Sequence, residues 1–341
     1  MRILSGIQPT GDKHLGNYIG AIRHYVANQQ LGEAFYFVAD LHALTLLPDP
    51  TELRDSTLAT AAMLLAAGVD PEHATLFVQS HVASEHAQLA WILQCVARMG
   101  ELNRMTQFKE KGDGQGDSVG VGLYTYPVLQ AADVVAYDAD QVPVGADQKQ
   151  HIELVRNLAQ RFNNRYGVGD EQVLRVPEPR IAEAGARIMD LQEPTRKMST
   201  SSGSDKGTVW VIDERDVVIK KFKSAVTDND AEVRYDPAAK PGVSNLLELL
   251  HIVTGKTITE LEAEHDSGRY GDLKLAVGEA VADHLAPIRE RYHELLDDPS
   301  ELERILAVGA DRAREVASAT LARVVERVGL LPAPARANAG A

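Results

Sequence analysis

Two short stretches of the chain carry residue types suited to holding and moving phosphate. The first, Gly6-Ile-Gln-Pro-Thr-Gly-Asp-Lys-His14-Leu15-Gly16-Asn17, places the donors Gln8, His14 and Asn17 and the small residue Gly16 just ahead of a helical pattern. A loop that feeds a helix N-terminus aims free N–H groups at an anion. The second, Lys197-Met-Ser-Thr-Ser201 followed by Gly203, sets a cation beside hydroxyls in a late polar segment, and by itself reads as a solvated loop. Other candidates are weaker. Gly112-x-Gly114-x-Gly116 lacks both a preceding strand and the third glycine that a dinucleotide turn needs, so it reads as a surface loop. His81 and His86 are five residues apart, which is not the i, i+4 spacing of two helical metal ligands, and the single cysteine, Cys95, has no partner for a disulfide or a multi-cysteine site. No Ser-His-Asp or Cys-His nucleophile system stands out. Basic residues cluster from Arg104 through Lys109 to Lys111, and at Lys220, Lys221 and Lys223; each cluster alone reads as a solvated helix face.

The elements around the two loops alternate. Arg2 to Ser5 reads as a strand that breaks at Gly6, and Asn17 to Gln30 has helical apolar spacing. A strand over Ala34 to Ala39 leads to a helix capped at Thr51 and ending near Gly68; a strand over Thr75 to Gln79 leads, through an N-cap signature at Ser84-Glu85, to a helix reaching about Met99. Such βα repetition demands a parallel sheet with right-handed crossovers. From Gly100 to Asp140 the alternation lapses into a helical insertion. Val142 to Gly145 resumes as a strand, Asp147 to Tyr166 as a helix, and Arg187 to Leu191 as a last parallel strand; beyond Asp213 the pattern is helical to about Val328.

With 341 residues and 44% hydrophobic side chains, the chain is long enough for two packed cores. A formal charge of −14 repels nucleic acid and anionic membrane at long range, so a nucleic-acid partner requires a local basic patch. No run approaches a membrane span and no signal segment opens the chain, which points to the cytoplasm.

Taken together the two loops are far more specific. His14-Leu-Gly-Asn17 resembles the HIGH signature of class I aminoacyl-tRNA synthetases, and Lys197-Met-Ser-Thr-Ser201 is similar to their KMSKS loop. Between and beyond them, Gly6-Ile-Gln-Pro-Thr-Gly, the segment from Gly100 to Lys111, Ala131-Ala-Asp133, Val142-Pro-Val-Gly-x-Asp-Gln-Lys-Gln-His151 and the segment from Lys220 to Asp228 resemble bacterial tryptophanyl-tRNA synthetases in order and spacing, from Arg2 to Val328. The resemblance implies an α/β protein: a doubly wound parallel-sheet (Rossmann-like) activation domain over 1–212 with a helical insertion over about 101–141, and an all-helical tRNA anticodon-binding domain over 213–328; the small-residue composition of the end predicts a disordered tail over 329–341. It implies activation of L-tryptophan with ATP, Mg²⁺ arriving with the nucleotide and no structural metal, then transfer to tRNA(Trp) by a homodimer that contacts no membrane.

Residue by residue, the resemblance assigns ATP to Gln8, His14, Gly16, Asn17, Gly145, Asp147, Gln148, Lys197, Met198 and Ser199, with Gln8, Lys197, Lys109 and Lys111 assisting the transfer. It assigns the amino acid to Gly6, His42, Tyr126, Gln130, Val142, Val144 and Gln148, with Asp133 accepting the indole N–H. Three positions depart from the family pattern: Thr200 replaces a second loop lysine, Leu4 an aromatic beside the indole, and Gln130 a methionine. A pocket amide is also a feature of tyrosyl relatives, so a tyrosine-specific relative and a catalytically weakened regulatory paralogue stay open as alternatives.

Overall fold

The computed structural model describes residues 1–105, 120–145, 148–181, 187–199, 205–266 and 269–331. Lys109, Lys111, Asp147, Thr200 and the 332–341 end lie outside the described residues.

Five parallel strands form one sheet: β1 (Arg2–Ile7), β2 (Glu33–Val38), β3 (Ala74–Val78), β4 (Gln141–Val144) and β5 (Glu178–Ile181), in the order β3-β2-β1-β4-β5. The helices that join them are α1 (Leu15–Asn17), running through a π-type turn at Tyr18–Ile22 into α2 (Arg23–Asn28), then α3 (Asp40–Ala43), α4 (Pro50–Ala66), α5 (Ala83–Val96), α6 (Met99–Leu102), α7 (Val121–Val135) and α8 (Lys149–Tyr166). After the sheet come α9 (Arg215–Lys223), α10 (Pro241–Thr254), α11 (Ile258–Glu264), α12 (Tyr270–Asp297) and α13 (Pro299–Val328). The order reverses between β1 and β4, and in an open α/β sheet that reversal leaves a crevice at the carboxyl ends of the strands.

Every residue of β3 and all but the first of β2 are buried, the continuous apolar run of strands covered on both faces. Alternate residues divide between two cores. Tyr36, Val38, Leu76 and Val78 pack with α2, α4 and the helices after residue 213, whereas Leu4, Phe35, Phe37 and Phe77 pack with α5, α7 and α8. The two cores are therefore the two faces of one sheet. The last helix joins both, with Leu302 and Leu306 on one side and Ala310, Ala313 and Ala317 on the other. It lies along β3, the outer strand, so close that a Cβ on Gly309 would stand 1.8 Å from the Leu76 carbonyl oxygen. An otherwise open sheet edge is thereby covered.

Several expectations change. β1 continues through Gly6 to Ile7. The cap of α4 is Asp49, whose carboxylate accepts the N–H groups of Thr51 and Glu52, with Pro50 in the first helical position, where its missing N–H costs nothing. α5 begins after Val82, and the Ser84 hydroxyl serves the Glu85 carboxylate. Arg187–Leu191 is not the last parallel strand. Among the described residues its strand pairing is a single antiparallel bridge from Met189 to Lys197, and the outer position beside β4 belongs to Glu178–Ile181.

Candidate active site

The first loop leaves β1 after Ile7, and Gly6 lies at the end of the strand. A Cβ there would meet the Phe37 ring at 2.5 Å, so this position needs glycine for the ring to lie against the strand. His14 starts the helical run. Its Nδ1 accepts the Asn17 N–H at 3.1 Å, and the Asn17 Oδ1 accepts the His14 N–H at 3.2 Å. Because Nδ1 is an acceptor, a neutral His14 carries its proton on Nε2. Burial, with the positive charges of Lys197 and Lys13, pushes the imidazole down to about 4, so it is neutral at physiological pH. His14 is thus both a helix cap and a preorganised neutral donor. Gly16 packs under it, where a Cβ would crowd the imidazole at 3.0 Å.

The second loop is tied to the first. Lys197 is paired to Met189, the Met198 N–H reaches the Ile188 carbonyl at 3.0 Å, and Met198 is buried while Lys197 is exposed. Downstream, Leu15 N–H donates to the Val209 carbonyl at 2.8 Å, and Val211 N–H to the Lys13 carbonyl at 2.9 Å. The two loops therefore share one short antiparallel seam, which brings the Lys197 charge to bear on His14.

Beside these loops, at the carboxyl end of the sheet, lies a cavity of about 410 Å³. It opens at the ends of β1 and β4, the point where the strand order reverses. Ten of the residues expected at the site line it: Gly6, Gln8, His42, Tyr126, Gln130, Asp133, Val142, Val144, Gly145 and Gln148. His14, Gly16, Asn17, Lys197, Met198 and Ser199 do not line it; they form the seam beside it. Leu4 and Gln130, two of the departures, are both in the wall. Sequence reasoning missed Phe37, and it missed Gly20, Ala21 and His24. Gly20 lies one helical turn beyond Gly16, so the i, i+4 spacing carried that signal.

Asp133, on α7, is wholly buried in the cavity wall. Its Oδ2 is 2.7 Å from the His42 Nε2, and its Oδ1 accepts the Gln79 amide at 2.8 Å and lies 2.7 Å from the His86 Nδ1. Burial opposes ionisation here, but the two imidazoles outweigh it and hold the carboxyl well below the usual carboxylate range. The result is a charged acceptor in the wall of a pocket whose other polar residues are neutral amides, hydroxyls and imidazoles beside apolar ones. Tyr126 closes the neighbouring wall, edge-on to His42 and with its hydroxyl 2.9 Å from the His151 Nε2.

The basic cluster of α9 is divided. Lys220 and Lys223 are exposed, whereas Lys221 is buried and pairs with Asp213 at 2.8 Å, so it is not part of a surface patch. His81 is exposed while His86 is fully buried, and among the described residues no group of three or more His, Cys, Asp or Glu side chains is arranged to hold a metal.

A family model described as tRNA synthetases class I (W and Y) matches residues 1–286, and the chain belongs to that family. A relative from Streptomyces avermitilis, named tryptophan--tRNA ligase 2, is 54% identical over 334 residues, covering 97% of this chain and 98% of its own. A tryptophan--tRNA ligase from Leifsonia xyli is 52% identical over 332 residues, covering 97% of each. Among solved structures, tryptophanyl-tRNA synthetase from Campylobacter jejuni, complexed with ADP and tryptophan, superposes with a TM-score of 0.84 at 35% identity, over 97% of this chain and all of that one.

Proposed function

We propose that this chain is a tryptophan–tRNA ligase: it joins tryptophan to ATP, forming tryptophanyl-adenylate and pyrophosphate, and then passes the acyl group to tRNA(Trp). In the first step a carboxylate oxygen of tryptophan bonds to the α-phosphorus and the bond to pyrophosphate breaks. In the second, a ribose hydroxyl of the tRNA bonds to the acyl carbon and AMP leaves. The enzyme needs no nucleophile of its own for either step. It must position two anions and stabilise charge as it builds on phosphate oxygens, which donors and cations do well away from water.

The observation that carries this reading is the buried, ionised Asp133 in the wall of the cavity at the strand-order reversal, beside the His14 and Lys197 seam. A single carboxylate acceptor suits the one polar atom on the edge of an indole. Val142, Val144 and Tyr126 supply the apolar walls, and Gln8, Gly145 and Gln148 line the mouth toward the nucleotide. ATP enters with Mg²⁺ on its phosphates, and the ion travels as part of the substrate. Lys197 follows the departing pyrophosphate, together with Lys109 and Lys111.

The helices over 213–328 take the anticodon end of the tRNA, with Lys220 and Lys223 as phosphate contacts. A homodimer is supported by a connected apolar surface: Leu44, Leu46, Leu47, Met99 and Val121 are exposed, and the segment over Leu44–Leu46 packs beside α7, whose Tyr124 hydroxyl donates to the Met99 carbonyl at 3.2 Å. No described helix is long and apolar enough to cross a membrane. Charging of purified tRNA(Trp) with labelled tryptophan tests the reading: one AMP and one pyrophosphate should be released per tryptophan attached, and a protein that charges no tRNA would contradict it.

A further inference from the structure

Asp133 is held from two sides that differ in access. Its Oδ2 faces His42, which lines the cavity; its Oδ1 faces Gln79 and His86, and His86 takes no part in the cavity wall. His86 is fully buried, edge-on to Phe37 and Tyr137, with its Nε2 2.6 Å from the Tyr137 hydroxyl. Tyr137 is also fully buried, stacked on Phe35 and tilted against Phe77. Burial, then the negative charges of Asp133 and Glu85, push its phenol far up, so the hydroxyl keeps its proton. With Tyr137 donating to Nε2, a neutral His86 carries its proton on Nδ1, the nitrogen beside Asp133. That approach sets the Nδ1–H dipole against the carboxylate oxygen without the alignment of a full hydrogen bond.

We propose that His86, backed by Tyr137, is a positioning residue for substrate specificity. It keeps Asp133 ionised and fixes its orientation from the core side, so that Oδ2 is presented to the cavity as an acceptor for the indole N–H. The proposal rests on the reading of Asp133 as that acceptor. Without His86, the buried carboxylate loses the polar N–H beside Oδ1 and takes up a proton more readily. A protonated acid can offer a donor where the indole also offers one, and the N–H is then no longer distinguished.

The readout is discrimination between tryptophan and its benzothienyl analogue, in which sulfur replaces the ring N–H, measured as the ratio of kcat/KM values in ATP–pyrophosphate exchange. His86→Asn should lower that ratio on the order of tenfold, the scale of one hydrogen bond to a charged group. The change should come through a higher KM for tryptophan, with the KM for ATP and the analogue's kcat/KM held. Tyr137→Phe, which keeps the ring and removes only the hydroxyl, should shift the ratio less and in the same direction, and it carries the test if His86→Asn fails to fold. Asp133→Asn serves as the reference. If it leaves discrimination intact, the reading of Asp133 falls, and the proposal with it. If it abolishes discrimination while His86→Asn and Tyr137→Phe both preserve it, the role assigned to His86 is overturned and the Asp133 reading stands.

Discussion

The imidazole of His14 and the indole of Trp210 meet edge to face, with ring centroids 6.3 Å apart, across an antiparallel bridge that joins the two residues. The contact fastens the polypeptide just after the lysine loop to the residue that caps the helical run beside the cavity. Neither residue touches the wall that holds Asp133.

Trp210→Ala should therefore loosen the relation between the loops without altering the amino-acid pocket. Misplacing reacting groups by a fraction of an ångström is expensive, so the rate of adenylate formation should fall about tenfold or more while the KM for tryptophan stays nearly constant. Stopped-flow measurement of activation checks this.

His14 also predicts a pH effect. Its imidazole is held at about 4 against an ordinary 6.5, so the unfolded chain takes up a proton first as pH falls. The stability this group secures is complete above pH 6.5 and is lost as pH drops toward 4, the direction required for a depressed pKa. Urea unfolding across that interval should show a shallower pH slope for His14→Asn than for the wild type, whatever the variant's absolute stability.

The three α9 lysines should separate into two classes. Replacing Lys220 and Lys223 with alanine should weaken tRNA charging at low salt, with the gap to the wild type narrowing as salt rises, and spare pyrophosphate exchange. Lys221→Ala should lower stability on the order of 3 kcal/mol instead, because it leaves Asp213 partly buried without its cation. Charging assays paired with thermal melts distinguish the two.

Gly309→Ala should disturb the docking of the last helix on β3, since the new methyl meets the Leu76 carbonyl, a backbone atom that cannot swing aside. Overpacking of this kind costs about 1–3 kcal/mol. Calorimetry should show a lowered Tm, and hydrogen exchange should show the loss centred on Ala74–Val78.

The inner strands were legible because β2 and β3 are apolar on both faces, a pattern only a strand between two helical layers needs. The outer strand β5 was not. Glu178-Pro-Arg is polar and carries a proline, which an edge position tolerates, whereas Arg187-Ile-Met-Asp-Leu191 has the alternation of a strand and instead supports the second loop. The pocket residues were legible through the family resemblance, and ten of them do line one cavity. The clamp on Asp133 was not, because His42, Gln79 and His86 come from three segments that only the folded sheet brings together. Nothing in local spacing marked Asp133 as more than a helix residue between apolar neighbours.

ATP–pyrophosphate exchange, run with each of the common amino acids on the wild type and on Asp133→Ala, tests the central claim most directly. Tryptophan alone should drive exchange, and Asp133→Ala should reduce it by at least about tenfold, as expected when a buried charged acceptor is removed. Exchange driven equally by tyrosine, or tryptophan-driven exchange indifferent to Asp133→Ala, would contradict the account.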